Sequence, residues 1–191
     1  MAHARSDVSR SLQSFLAQLP EKAQCQITLF DHNQYHLAPD GAAIGGYQTG
    51  ATPKAALCSS FQNTATAQAI ERIGGGGTDI VEALEPMYQS VLANKEALNL
   101  VLVISDGAGS AWRWSPAFRT LVDIRTRAVE EAGAYTVVNW LGNFATNYPL
   151  GDLADLSLPG PVEQQPFAQD FFRRANGILN SQSVVTPRTC S

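Results

Sequence analysis

One segment limits the fold more than any other: Leu98-Asn99-Leu100-Val101-Leu102-Val103-Ile104, followed at once by Ser105-Asp106-Gly107. An alternating strand keeps one face in water and shows it by polar residues at every second position. This run is aliphatic on both faces, so it predicts a central parallel strand with helices packed above and below. A second buried strand is expected over Ala134–Leu141. The expected architecture is α/β: a doubly wound, mostly parallel, Rossmann-like sheet with helices on both faces.

The remaining periods fit that plan. Val8, Leu12, Phe15, Leu16 and Leu19 form a helical stripe, with Ser6 as its expected N-cap and Pro20 beyond its end. Gln26–Phe30 and Gln34–Ala38 flank Asp31-His32-Asn33, which predicts an antiparallel hairpin at the sheet edge. Residues 39–62 lack a clear period and read as a loop. Ala65, Ala69, Ile70 and Ile73 predict a short helix that stops at Gly74–Gly77. Ile80, Ala83, Leu84, Met87 and Val91 predict a longer one, which Pro86 is expected to kink or shorten. Ser115-Pro116 opens a further helix that Gly133 closes, and Phe167–Leu179 forms the last. Residues 1–180 are expected to make a single domain, with a polar tail over 181–191.

Composition narrows the function classes. With 191 residues, 45% of them hydrophobic, the chain can bury a core without staples. A formal net charge of -4, with no Lys/Arg-rich tract, argues against nucleic acid as a partner. No apolar run reaches the roughly 18 residues of a membrane span. No apolar stretch follows the arginines of the first eleven residues, so no secretory leader is read there. The three cysteines, Cys25, Cys58 and Cys190, show no metal-ligand spacing, and a reduced cytoplasmic setting is the simplest expectation. A disulfide remains an open alternative.

Two loops carry candidate chemistry. Gly74-Gly75-Gly76-Gly77-Thr78-Asp79-Ile80 leads into the longer helix, and Ser105-Asp106-Gly107 follows the most buried strand. At the carboxyl rim of a parallel sheet, the Thr78 hydroxyl and Asp106 carboxylate would offer hard oxygen ligands suited to Mg²⁺ or another divalent cation. Asp79 with Glu82 also fits a capping box. These two motifs, in this order and in these elements, resemble the von Willebrand factor A domains. The resemblance implies a metal-ion-dependent adhesion site with Thr78 and Asp106 as ligands, and a non-enzymatic module for protein–protein interaction or complex assembly. The family's Asp-x-Ser-x-Ser loop is matched in letters by Asp7, Ser9 and Ser11. Those residues also fit the first turns of a helix, where Asp and Ser are favoured without any metal. No strand precedes them here, so the resemblance implies a central strand that is missing, borrowed or replaced.

Trp112-Arg113-Trp114 follows the Asp106 loop and is expected to form a partner-binding surface, either for another protein or for a second copy of the chain. The alternative is a Rossmann-like enzyme holding phosphate at Gly74–Gly77 and using Asp106 as acid, base or Mg²⁺ ligand. No lysine-bearing phosphate loop and no paired His/Asp accompanies Asp106, which favours binding over catalysis.

Overall fold

The computed structural model describes residues 2–45, 53–73, 79–95, 98–105, 115–140, 150–159 and 167–182. In chain order these form α1 (Ala2–Leu16), β1 (Gln24–Cys25), β2 (Thr28–Phe30), β3 (Gln34–Leu37), β4 (Ala43–Gly45) and β5 (Ala56–Leu57). A 3₁₀ turn (Cys58–Phe61), α2 (Thr64–Arg72), α3 (Ile80–Ala93) and β6 (Leu100–Ser105) follow. The rest is α4 (Pro116–Ala132), β7 (Tyr135–Trp140), α5 (Leu150–Leu153), β8 (Leu156–Pro159) and α6 (Phe167–Gln182).

The aliphatic run does form a strand, and it pairs in parallel with β7, Leu100 opposite Tyr135 through Ser105 opposite Trp140. Among the described residues the order is β6-β7-β8, so β7 lies in the middle and β6 is paired on its β7 side. The described strands also do not form one sheet. The expected edge hairpin is a separate antiparallel sheet, β2-β3-β4, and β1 pairs with β5 in a two-stranded ribbon. Residues 39–62, expected to be a loop, therefore contribute β4, β5 and the 3₁₀ turn.

Helices cover both faces of the parallel sheet, and the strand alternation sorts the side chains between them. Leu100, Leu102, Ile104 and Val137 face a core with Phe15 and Leu16 of α1 and Phe171, Phe172 and Ala175 of α6. Val101, Val103 and Val138 face the other, with Ile80, Leu84 and Tyr88 of α3 and Phe118 and Leu121 of α4.

Local signals explain the helix ends. Ser115 accepts the Phe118 N–H at 3.1 Å, Pro116 supplies the first helical φ, and Gly133 takes a left-handed φ of 59° to close α4. Asn63 caps α2 through the Thr66 N–H at 2.9 Å. Two expectations need correction. Ser6 caps nothing, because α1 already runs from Ala2. Pro86 does not end α3, which passes through it for 14 residues. Its missing N–H removes one helical bond, and burial of Ile80, Val81, Leu84 and Tyr88 outweighs that loss.

The cysteines depart from the reduced expectation: Cys25 and Cys58 are joined by a disulfide that staples β1 to the start of the 3₁₀ turn. The Cys58 sulfur is thereby removed from any nucleophilic role.

Candidate functional site

β2 ends at Phe30, and the chain turns through Asp31. The Asp31 carboxylate accepts the Asn33 N–H at 2.7 Å, and the Asp31 N–H donates to the Asn33 carbonyl at 2.9 Å, a self-closed turn. The Asp31 carbonyl then accepts the Asp79 N–H at 2.6 Å. This bond joins the carboxyl end of β2 to the residue that caps α3. The Asp79 carboxylate accepts the Glu82 N–H at 3.2 Å, which is one half of the capping box read from the sequence.

Two carboxyl groups, Asp79 and Glu82, thus sit at the start of α3, where the positive end of the helix dipole favours negative charge. The Glu82 carboxyl is raised above its ordinary range, chiefly by desolvation and then by repulsion from Asp79. His32 Nδ1 lies 3.4 Å from the Asp31 carboxylate, while His36 Nδ1 shares a 3.1 Å hydrogen bond with the Thr28 hydroxyl. The two histidines therefore serve different neighbours. Among the described residues, no group of three His, Cys, Asp or Glu side chains is arranged to hold a metal.

Thr78 and Asp106 lie outside the described residues, as do Gly74–Gly77, Trp112, Arg113 and Trp114. Their immediate neighbours are placed: Asp79 by the Asp31 bond, and Ser105, buried, as the last residue of β6. Asp7, Ser9 and Ser11 are described, and all three lie within α1 as buried residues. On a helix, Asp7 and Ser11 share a side, whereas Ser9, two positions from each, does not. The Asp7 carboxylate is also occupied, accepting the Ala168 N–H in the first turn of α6 at 3.2 Å. The helical placement is the one expected for these letters, but the helix that Asp7 caps is α6 and not its own.

Sequence reasoning missed Asp31 and Asn139. Asp31 looked like a simple hairpin residue, and nothing local marks its bond to Asp79. Asn139 sits on the middle strand opposite Ile104, is 3% exposed, and its Oδ1 has no partner among the described residues. An amide side chain within a buried strand was the available signal.

No family model matches the chain, and no curated protein does. Among solved structures, a von Willebrand factor type A protein from Catenulispora acidiphila aligns with a TM-score of 0.58 at 15% identity, over 91% of this chain and 37% of that one. An uncharacterized membrane spanning protein from Vibrio fischeri aligns over 93% of this chain and 84% of that one at 15% identity, with a TM-score of only 0.29. The chain spans little more than a third of the Catenulispora structure, 37%. That likeness shows the fold alone: a parallel sheet with helices on both faces, similar to that of the Catenulispora structure. No helix among the described residues is long and apolar enough to cross a membrane.

Proposed function

We propose, from this fold, that the chain is a non-enzymatic protein-binding module whose rim engages its partner with the help of a divalent cation. The observation that carries the reading is the Asp31–Asp79 backbone bond, which fixes the start of α3 against the end of β2. Thr78 immediately precedes that anchor, and Asp106 immediately follows Ser105 at the end of β6. A hydroxyl and a carboxylate leaving two such anchors are hard oxygen donors of the type Mg²⁺ and Mn²⁺ prefer. A carboxylate from the partner would complete the coordination. Asp7, Ser9 and Ser11 are left out of the proposed site because α1 holds them and α6 occupies Asp7.

The partner surface in this reading includes Trp112, Arg113 and Trp114, on the connection from β6 to α4. Each indole brings apolar area with one donor, and Arg113 can hold a carboxylate in bidentate fashion. The Cys25–Cys58 bond favours an oxidising compartment over the cytoplasm.

Analytical ultracentrifugation and pull-down with Trp112→Ala and Trp114→Ala test the surface. Loss of an indole at an interface centre should cost on the order of 2 kcal/mol of binding. Variants that stay folded and keep both mass and partners would remove the aromatic loop from the interface.

A further inference from the structure

Residues 53–63 run through β5 and the 3₁₀ turn to the cap of α2 as a strap that is fastened at both ends. At one end Gln26 donates through Nε2 to the carbonyl of buried Pro53 at 2.7 Å and to the Ser90 hydroxyl of α3 at 2.7 Å. At the other end Phe61 is 0% exposed, and Gln62 Nε2 donates to the Leu16 carbonyl at 2.8 Å. Asn63 adds a bond from Nδ2 to the Pro39 carbonyl at 2.7 Å, and its own carbonyl accepts Gln13 Nε2 at 2.7 Å.

The middle is held differently. Of residues 54–60, Cys58 alone is buried, whereas Lys54, Ala55, Leu57, Ser59 and Ser60 are exposed. The ladder between β1 and β5 joins only Gln24 with Leu57 and Cys25 with Ala56. The Cys58 N–H donates to the Ala23 carbonyl at 3.0 Å, and the Cys25–Cys58 disulfide completes the attachment. A ribbon so short is not stable on its own, and a stretch with so little apolar burial opens locally. The covalent bond therefore dominates the hold on the middle of the strap.

Access to the two residues is unequal: Cys25 is half-buried, while Cys58 is 2% exposed. An entering thiolate meets Cys25 first. We propose that this disulfide is a redox-sensitive clasp, which an external dithiol opens in the folded chain so that the middle of the strap bows out between its fastened ends. The dithiol's first thiolate attacks Cys25 Sγ, the Sγ–Sγ bond breaks, and Cys58 leaves as a thiolate that takes up a proton. The dithiol's second thiol, deprotonated, attacks its own sulfur in the mixed disulfide, and Cys25 leaves and is protonated. The chain gains two electrons and two protons as a pair of thiols, and the reductant becomes a disulfide. Opening carries Cys58 out of the core that it shares with Leu16 and Leu37, and leaves β7, α3 and α4 in place. The clasp needs no cation and stands apart from the rim reading.

A disulfide that acted only on the unfolded chain would leave the folded strap as it is. Native-state amide hydrogen exchange in low urea, read by NMR on the intact chain with and without dithiothreitol, separates the two. In the reduced chain the Cys58 amide should exchange at least about tenfold faster than those of Val137 and Val138, through an opening that urea barely accelerates. Val137 and Val138 should keep the steep urea dependence of global unfolding. Cys25→Ser with Cys58→Ser should show the same local opening at position 58 without reductant. The proposal is overturned if the Cys58 amide of the reduced chain follows the urea dependence of Val137, or if it already opens locally with the bond intact. It is equally overturned if dithiothreitol leaves the bond unbroken in the folded chain, or if the double variant keeps a protected strap.

Discussion

The carboxylate of Asp7, midway along α1, accepts the backbone N–H of Ala168 at the start of α6, across 161 positions of sequence. α1 and α6 pack side by side under the parallel sheet through Phe15 and Phe172, whose ring centroids are 5.2 Å apart. A buried carboxylate at a helix N-terminus satisfies an orphan donor and meets the positive end of the dipole. One residue thus joins the first and last helices.

Asp7→Ala should destabilise the fold by about 1–2 kcal/mol, the usual cost of losing a helix cap. Asp7→Asn, which keeps an acceptor oxygen, should recover most of that. Urea denaturation of the three proteins measures it, and equal midpoints would deny the cap any weight.

The Tyr88 hydroxyl and the Thr136 hydroxyl share a 3.0 Å hydrogen bond between α3 and β7. Burial pushes the Tyr88 phenol up to about 12, with the bond to Thr136 acting in the opposite sense. A raised phenol means that the unfolded chain ionises first. The stabilisation from keeping it neutral is therefore complete below pH of about 10 and is lost as pH rises towards 12. Melting temperature should fall more steeply across that window in the wild type than in Tyr88→Phe. Parallel curves would contradict it.

Asp155 binds the Thr136 N–H at 2.7 Å and pairs with Arg125, whose Nε donates to the Leu153 carbonyl at 3.2 Å. This network ties α4 to the loop before β8. Asp155→Ala leaves a backbone donor and a partly buried guanidinium unmatched, and should cost about 2 kcal/mol by chemical denaturation. A loss below a few tenths would show that the loop holds without it.

Reduction of Cys25–Cys58, which are 33 residues apart, frees a loop of the unfolded chain. Cys25→Ser with Cys58→Ser should lower stability by about 3–4 kcal/mol in the chain-entropy account. Dithiothreitol should lower the wild type to the same level and leave the double variant unmoved. An unchanged wild type under reductant would contradict the bond.

What was legible in the sequence was mostly local. Ser115-Pro116 and Gly133 bracket α4 because a cap, a fixed φ and a left-handed φ act within a few residues. Asp79 with Glu82 marked the start of α3 for the same reason. Pairings across the chain were not legible. β8 is four residues whose identity as a strand comes from lying beside β7. The choice of Cys58 as the partner of Cys25 is not encoded near either segment. At the rim, Asp31 gains its role only through Asp79, and away from it Asp7 gains its role only through Ala168, both distant in sequence.

The rim stands or falls on where a cation sits. Mn²⁺ titrated into isotope-labelled protein should broaden the amides of Asp79 and Ser105 first, because they adjoin Thr78 and Asp106. Asp106→Ala should keep its fold and lose that selective broadening. Equal broadening in the variant, or broadening led by exposed carboxylates elsewhere such as Asp170, would contradict a cation held between Thr78 and Asp106.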